Sequence, residues 1–271
     1  MTAIILPRKH FSQPKGRVQI DWANPLSQGL RVAFTGSGPN LVNGEMPAGT
    51  GGRGADSLGD WFYPTASADN LRFNLFPEIP ADSDFTVFWI NNVQTTSTAR
   101  KRAFRLGNNS FGTIMAWDNG VNNNRGELSF QNSSGTFVMF PTLSNHLRFE
   151  PARHVVRRSV PYNMIAFRAD AETRENRSTI NSVLRGPFNY LDVGNNLTTF
   201  PLQGFIGNFL LWDRFLYLEE VLHLEENIWS VYKADPVRIY SFPATGIPTL
   251  SLPGVIDITA TSARPQVTLT Y

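Results

Sequence analysis

Gly204-Phe205-Ile206-Gly207-Asn208-Phe209-Leu210-Leu211-Trp212-Asp213-Arg214-Phe215-Leu216, with Glu219-Glu220-Val221-Leu222-His223-Leu224 just after it, is the stretch that decides how this chain folds. It predicts a strand over 205–212. A helix should follow from about Tyr217 to Tyr232, because Leu218, Val221, Leu222 and Glu225 recur three and four residues apart and Leu224, Ile228 and Trp229 widen the apolar side. Glu219 and Glu220 fall in its first turn, where the helix dipole favours anions. Lys233 follows its end, and Pro236 prevents continuation. The rings of Trp229 and Tyr232 are expected as packing groups at the edge of a sheet.

Upstream, helical periodicity is scarce and short apolar runs alternate with Gly, Asn, Pro and Ser, the pattern of an antiparallel sandwich. Strands are expected at 30–34, 60–63, 70–75, 84–90, 102–106, 113–117, 127–131 and 136–140, then at 155–160, 163–169, 177–183 and 190–193. In Phe85-Thr86-Val87-Phe88-Trp89-Ile90 both faces are apolar, which suits a central strand covered by a second sheet. Gly49-Thr50-Gly51-Gly52-Arg53-Gly54 reads as a mobile loop. Asn108-Asn109-Ser110 and Asp118 to Asn124 read as turns, and Gln131 to Gly135 as a hairpin loop. The fold class expected is all-β: a two-sheet antiparallel jelly-roll sandwich with one short helix towards its C-terminal side and a C-terminal β-hairpin extension.

The 271 residues contain no cysteine, which excludes a disulfide framework, a thiolate metal site and a cysteine nucleophile. Charged residues are 17% of the chain and aromatic residues 12%, a balance opposed to disorder. The net charge of +2 is no nucleic-acid signature, since phosphate binders gather cations on one face. The short runs Arg8-Lys9-His10, Arg100-Lys101-Arg102 and Arg157-Arg158 are expected on solvated loops or strand edges. No segment is long and apolar enough for membrane insertion. Ile4-Ile5-Leu6 is too short for a signal-peptide core and its charges follow it, so synthesis in a cytoplasm is expected.

The ends differ from the middle. Residues 1–19 form an extended arm, 20–244 the sandwich, and 245–271 a hairpin tail for assembly, with strands at 255–261 and 266–271. Two strands alone are marginal in water, so the tail is expected either to extend the main sheet or to pair with another chain. Arg8, Lys9, Lys15 and Arg17 of the arm, and Ile256, Ile258, Val267, Leu269 and Tyr271 of the tail, are the assembly candidates.

Chemistry is sparsely marked. His10, His146, His154 and His223 show no metal spacing, and no Gly-x-Ser-x-Gly elbow marks a nucleophile. Asp170-Ala171-Glu172 has the alternation that puts two carboxylates on one strand face. Arg168, Arg174 and Arg177 surround it and hold it ionised, against the needs of an acid catalyst, so it reads as a charged loop. Asp82-Ser83-Asp84 reads as a turn. Asp and Asn oxygens leave room for calcium, but no twelve-residue calcium loop is present and no cofactor is expected. What remains is a sugar-binding repertoire of planar hydrogen-bonding groups beside rings, densest at Trp117, Asp118, Asn119, Asn122, Asn123 and Asn124.

The closing strand Gly204 to Leu216 with its Glu219-Glu220 helix, preceded by Leu191-Asp192-Val193-Gly194, resembles the concanavalin A-like lectin/laminin G superfamily. Leu6-Pro7-Arg8-Lys9 with Ile20-Asp21-Trp22 to Leu30, and Asn227-Ile228-Trp229 with Arg238-Ile239-Tyr240, are similar to the opening and closure of laminin-G-like proteins encoded in tailed bacteriophages and prophages. The Glu-x-Asp-x-x-Glu order of the superfamily's laminarinase-type glycosidases is absent, so no enzyme activity is carried over. The resemblance implies a non-enzymatic virion protein, made in the host cytoplasm and associated with the tail or its fibre. It would contact other phage structural proteins, form a homo-oligomer with a trimer favoured, and either attach to a host surface glycan or receptor or hold the receptor-binding assembly. A head decoration (cement) protein is the alternative, and a glycan-cleaving enzyme using Asp170 and Glu172 a second one.

Overall fold

The computed structural model describes residues 18–36, 38–56, 59–64, 69–93, 100–108, 112–119, 125–131, 137–139, 152–162, 164–169, 172–176, 184, 186–194, 204–234, 257–259 and 266–268. In chain order the strands are β1 (Val18–Ile20), β2 (Leu30–Phe34), β3 (Ala48–Thr50), β4 (Gly52–Asp56), β5 (Gly59–Tyr63), β6 (Asn70–Ile79), β7 (Phe85–Val93), β8 (Arg100–Gly107), β9 (Gly112–Asn119) and β10 (Arg125–Gln131). They continue as β11 (Phe137–Met139), β12 (Ala152–Ser159), β13 (Met164–Ala169), β14 (Glu172–Asn176), β15 (Phe188–Gly194), β16 (Gly204–Trp212), β17 (Tyr232–Ala234), β18 (Asp257–Thr259) and β19 (Gln266–Thr268), with helix α1 at Leu218–Glu226. No helix among the described residues is long and apolar enough to cross a membrane.

The fold is an all-β sandwich. A seven-stranded sheet runs β11-β10-β9-β8-β15-β6-β3. An eight-stranded sheet runs β14-β13-β12-β7-β16-β5-β4, with β2 also pairing β16. Pairing among the described strands is antiparallel, and strands such as β6 and β15 turn alternate residues to the shared interior. Phe34, Phe73, Trp89, Phe104 and Phe209 meet there, with Phe34 stacked on Phe73 at 4.6 Å and Trp89 edge-on to Phe104 at 5.0 Å.

Strand β7 shows why both its faces are apolar. Phe85, Val87 and Trp89 enter the interior between the sheets, whereas Phe88 and Ile90 enter a second core on the other side of the eight-stranded sheet. That second core is closed by α1 and its flanks through Leu216, Val221, Leu224 and Trp229, together with Leu26 from the turn before β2. The second cover is therefore a helix layer and not a further sheet. Trp229 and Tyr232 belong to this layer instead of sitting at a sheet edge. Thr86, on the same face, donates its hydroxyl to Arg214 O (2.9 Å) and accepts from Leu216 N (3.0 Å), which fixes the chain between β16 and α1.

Helix α1 starts as expected, with Tyr217 N donating to Glu220 Oε2 at 2.8 Å. It ends six residues short of the predicted Tyr232. Asn227 leaves helical geometry (φ −137°, ψ 87°) and its side-chain oxygen accepts from Trp229 N at 3.3 Å, offering the backbone a local alternative to another turn. Tyr232 then opens β17, which pairs with β1.

Other expectations are corrected. Gly49 to Gly54 is not a loop but lies in β3 and β4. Gly49 has φ +124°, and a Cβ there would stand 1.9 Å from Asn70 O, so glycine is what lets β3 approach β6. Where the runs read as solvated are described they are buried: Arg157 and Arg158 lie on interior strand β12 and Arg102 on β8, while Arg8-Lys9-His10 lies outside the described residues. Burial is tolerated because the guanidinium groups meet backbone carbonyls: Arg157 donates to Leu216 O (3.0 Å), and Arg158 to Ser83 O (3.0 Å) and Ala81 O. Glu172 begins edge strand β14 and is not in a charged loop, while the predicted strand 177–183 lies outside the described residues except for Leu184 beyond its end. The Asp82-Ser83-Asp84 turn is present, with Ser83 N bonded to Pro80 O (3.1 Å) and Asp84 Oδ1 accepting from Val160 N (2.7 Å).

Asn40 ties the segment after β2 to that strand. Asn40 is 1% exposed; its side-chain oxygen accepts from Ala33 N (3.0 Å) and Val42 N (3.1 Å), and its nitrogen donates to Arg31 O (3.1 Å). Asn40→Ala leaves buried backbone groups unpaired, so a loss of about 2–3 kcal/mol is expected. A urea titration checks it: a midpoint within error of the parent would show that the network contributes nothing.

The chain divides into two units, residues 1–234 and 235–271. In the second, β18 and β19 pair antiparallel with Ile258 opposite Val267, a hairpin as the sequence predicts.

Candidate functional site

Three neighbouring strands of the seven-stranded sheet carry charge on the face turned away from the interior. In β6, Leu71, Phe73 and Leu75 point inward, which places Asn70, Arg72 and Asn74 outward. In β15, Leu191 and Val193 point inward and Tyr190 and Asp192 outward. In β8, Phe104 and Leu106 point inward and Arg105 outward. Register sets Asp192 opposite Arg72 on one side and Arg105 on the other.

The pairing is specific. Arg72 binds Asp192 through Nε–Oδ1 (2.6 Å) and Nη2–Oδ2 (2.8 Å), a two-pronged ion pair, and Asn70 Nδ2 donates to the same carboxylate at 3.4 Å. This hydrogen bond to Asp192 raises the Arg72 pKa, more than burial lowers it. Both guanidinium groups lie over the Tyr190 ring, Arg72 at 4.2 Å and Arg105 at 5.1 Å from its centroid. Burial pushes the Tyr190 phenol above its ordinary value, and Arg105 pulls it back. Arg102, buried beside them, is lowered to about 10, first by burial and then by the like charge of Arg105, while Asp192 holds it up. It remains a cation at neutral pH.

Chemically, the cluster gathers Arg72, Arg102 and Arg105 around one carboxylate whose two oxygens are both engaged by Arg72. Its cationic donors can hold an acceptor group. It does not offer the paired carboxylates that glycoside hydrolysis requires. Among the described residues no group of three His, Cys, Asp or Glu side chains could hold a metal ion.

The sequence candidates fall next to this cluster in part. Trp117 stands in register with Arg102 and with Glu127, Asp118 with Lys101 and Gly126, and Asn119 with Arg100 and Arg125. Asp118 and Asn119 thus continue β9 instead of opening a turn, because both neighbouring strands carry the ladder past them. Asn122, Asn123 and Asn124 lie outside the described residues, as do Arg8, Lys9, Lys15, Arg17, Ile256, Leu269, Tyr271, Asp170, His10 and His146. His154 is a buried packing group, parallel to the Trp89 ring at 4.9 Å, and His223 lies exposed on α1. The sequence reading missed Arg72, Arg102, Arg105, Tyr190 and Asp192. Its available signal was a charge set between two apolar neighbours in mid-strand, as in Leu71-Arg72-Phe73 and Leu191-Asp192-Val193.

Fold and site together define a two-sheet antiparallel β-sandwich with a charged, ring-bearing sheet face. No family model and no curated sequence matches the chain. Solved structures do match: the botulinum neurotoxin serotype D binding domain, with a TM-score of 0.59 at 11% identity over 75% of this chain and 53% of that one. The binding domain of Paraclostridial Mosquitocidal Protein 1 gives 0.57 at 12% identity, over 74% of this chain and 52% of that one. The serotype D ligand-binding domain in complex with N-acetylneuraminic acid gives 0.56 at 10% identity, over 73% of this chain and 50% of that one. The chain spans about half the length of these domains, and at such identities the likeness shows the sandwich fold alone.

Proposed function

We propose that this chain is a non-enzymatic attachment module, a laminin-G-like sandwich on the tail or fibre of a tailed-phage virion that binds a surface glycan or holds the receptor-binding assembly. The observation that carries the binding reading is the array on the outer face of β6, β15 and β8, where donors and a ring are held on paired strands. Rigid strands hold such groups more closely than loops do, and the face offers recognition groups in place of a reaction centre. The matched binding domains, one of them named for its complex with N-acetylneuraminic acid, support the same class of role. The phage setting rests on the resemblance of the opening and closing segments. In this reading the arm and the 257–268 hairpin contact neighbouring virion proteins or further copies of the chain, with a trimer favoured, and no cofactor is required.

Fractionation of disrupted particles with antibody to the chain tests the proposal. The protein is expected to travel with tails. Recovery with empty heads would replace the reading with a capsid decoration role, and absence from particles would end the virion reading. Cleavage of host polysaccharide by the purified chain would overturn the non-enzymatic part.

A further inference from the structure

Two donors on adjacent strands of the charged face lack an acceptor. Tyr190, on β15, is 2% exposed, and its hydroxyl has no hydrogen-bond partner among the described residues. Arg105, on β8, makes no ion pair among the described residues, and its Nε is buried without a hydrogen-bond partner. Its guanidinium rests on the Tyr190 ring at 5.1 Å. Buried donors are ordinarily satisfied, and an exception asks for a cause. Arg72 differs, because its fork is spent on Asp192. The group that would satisfy both open donors is an acceptor, and with the Arg102 charge alongside it is an anionic one.

The geometry points to a site, built from Arg105 and Tyr190 with Arg102 as the flanking charge, for the anionic oxygen group of an acidic saccharide. This rests on the attachment reading above and adds the ligand class to it. The oxyanion accepts from Arg105 and from the Tyr190 hydroxyl. The Arg105 guanidinium rests on the Tyr190 ring, from which it can swing to meet the ligand, while the Arg72–Asp192 pair stays in place and keeps Tyr190 oriented. A carboxylate and a sulfate ester share the chemistry required.

The test is binding of the full-length chain to polygalacturonate, dextran sulfate, uncharged dextran and inorganic sulfate by calorimetry. Binding to at least one acidic polymer and none to dextran is expected, and the two acidic arms tell carboxylate from sulfate. Retention of inorganic sulfate alone would mean an anion site without a sugar and would overturn the saccharide claim. Arg105→Gln should weaken polymer binding about tenfold or more, the scale of a lost charged hydrogen bond, and Tyr190→Phe by about three- to tenfold. Lys233→Gln removes a charge from β17 and should leave affinity unchanged; equal losses in Arg105→Gln and Lys233→Gln would reduce the effect to net charge and overturn the site. Unchanged thermal midpoints check that the variants fold. If host envelopes are bound but neither acidic polymer is, or Arg105→Gln is silent, this inference fails and attachment stands. If neither polymer nor envelope is bound, both fail.

Discussion

Trp212→Ala is expected to remove about 4 kcal/mol of stability, within the range for truncating a buried tryptophan. The indole is fully buried in the core beneath α1. It ends β16, the strand paired with both β7 and β2, so the side chain sits where the sheet passes its load to the helix layer. Its Nε1 also donates to Leu26 O at 2.7 Å, and removing the donor leaves that carbonyl unpaired in an apolar setting. The measurement is a urea titration, with the midpoint falling and the slope unchanged. Trp212→Phe should cost less, about 1–3 kcal/mol, because it keeps a ring but loses the donor. An alanine variant within about 1 kcal/mol of the parent would mean that the helix layer is not a packed core.

The second large effect is expected at Glu225. Its carboxylate meets Arg168 through Oε1–Nε (2.7 Å) and Oε2–Nη2 (2.9 Å), and the two side chains are only 8% and 11% exposed. Glu225→Ala takes this two-pronged carboxylate from the buried Arg168 guanidinium, and breaking a buried pair typically costs about 3–5 kcal/mol. The pair joins α1 to strand β13, and through Thr173, whose hydroxyl accepts from Arg168 at 3.0 Å, to the edge strand β14. The double variant Glu225→Leu with Arg168→Met should be more stable than either single charge deletion, since no isolated charge remains. A double variant as unstable as the sum of the singles would show that the two groups act independently.

The legible parts of this fold share one property: their signal is local. The strand over 205–212, the apolar β7 and the start of α1 at Tyr217 follow from spacing within a few residues. The end of α1 was harder, because Ile228, Trp229 and Tyr232 continue a helical apolar pattern while serving the same core from a turn and a strand. Arg157-Arg158 shows the limit from the other side. As a doublet it looks like solvated charge; on a strand the two side chains point to opposite faces, each finding carbonyls supplied by segments far away in sequence. The candidate site was illegible for the same reason. Arg72, Arg105 and Asp192 come from three strands, and only sheet order brings them together. Trp117 was named because a ring beside Asn and Asp is visible locally, and its backbone stands in register with Arg102.

Strand β1 pairs with β17 so that Val18 faces Ala234 and Ile20 faces Tyr232. Antiparallel bonds run perpendicular to the strands, so a pull that separates Val18 from Ala234 acts along those bonds and parts them one after another. A pull applied between Val18 and Ala234 is thus met first by a three-rung zipper and its Asp21–Lys233 clasp at 3.1 Å, and then by Ile20 and Tyr232 of the core beneath α1. For a pull on those two ends such an arrangement is a mechanical fuse, yielding rung by rung and not all at once.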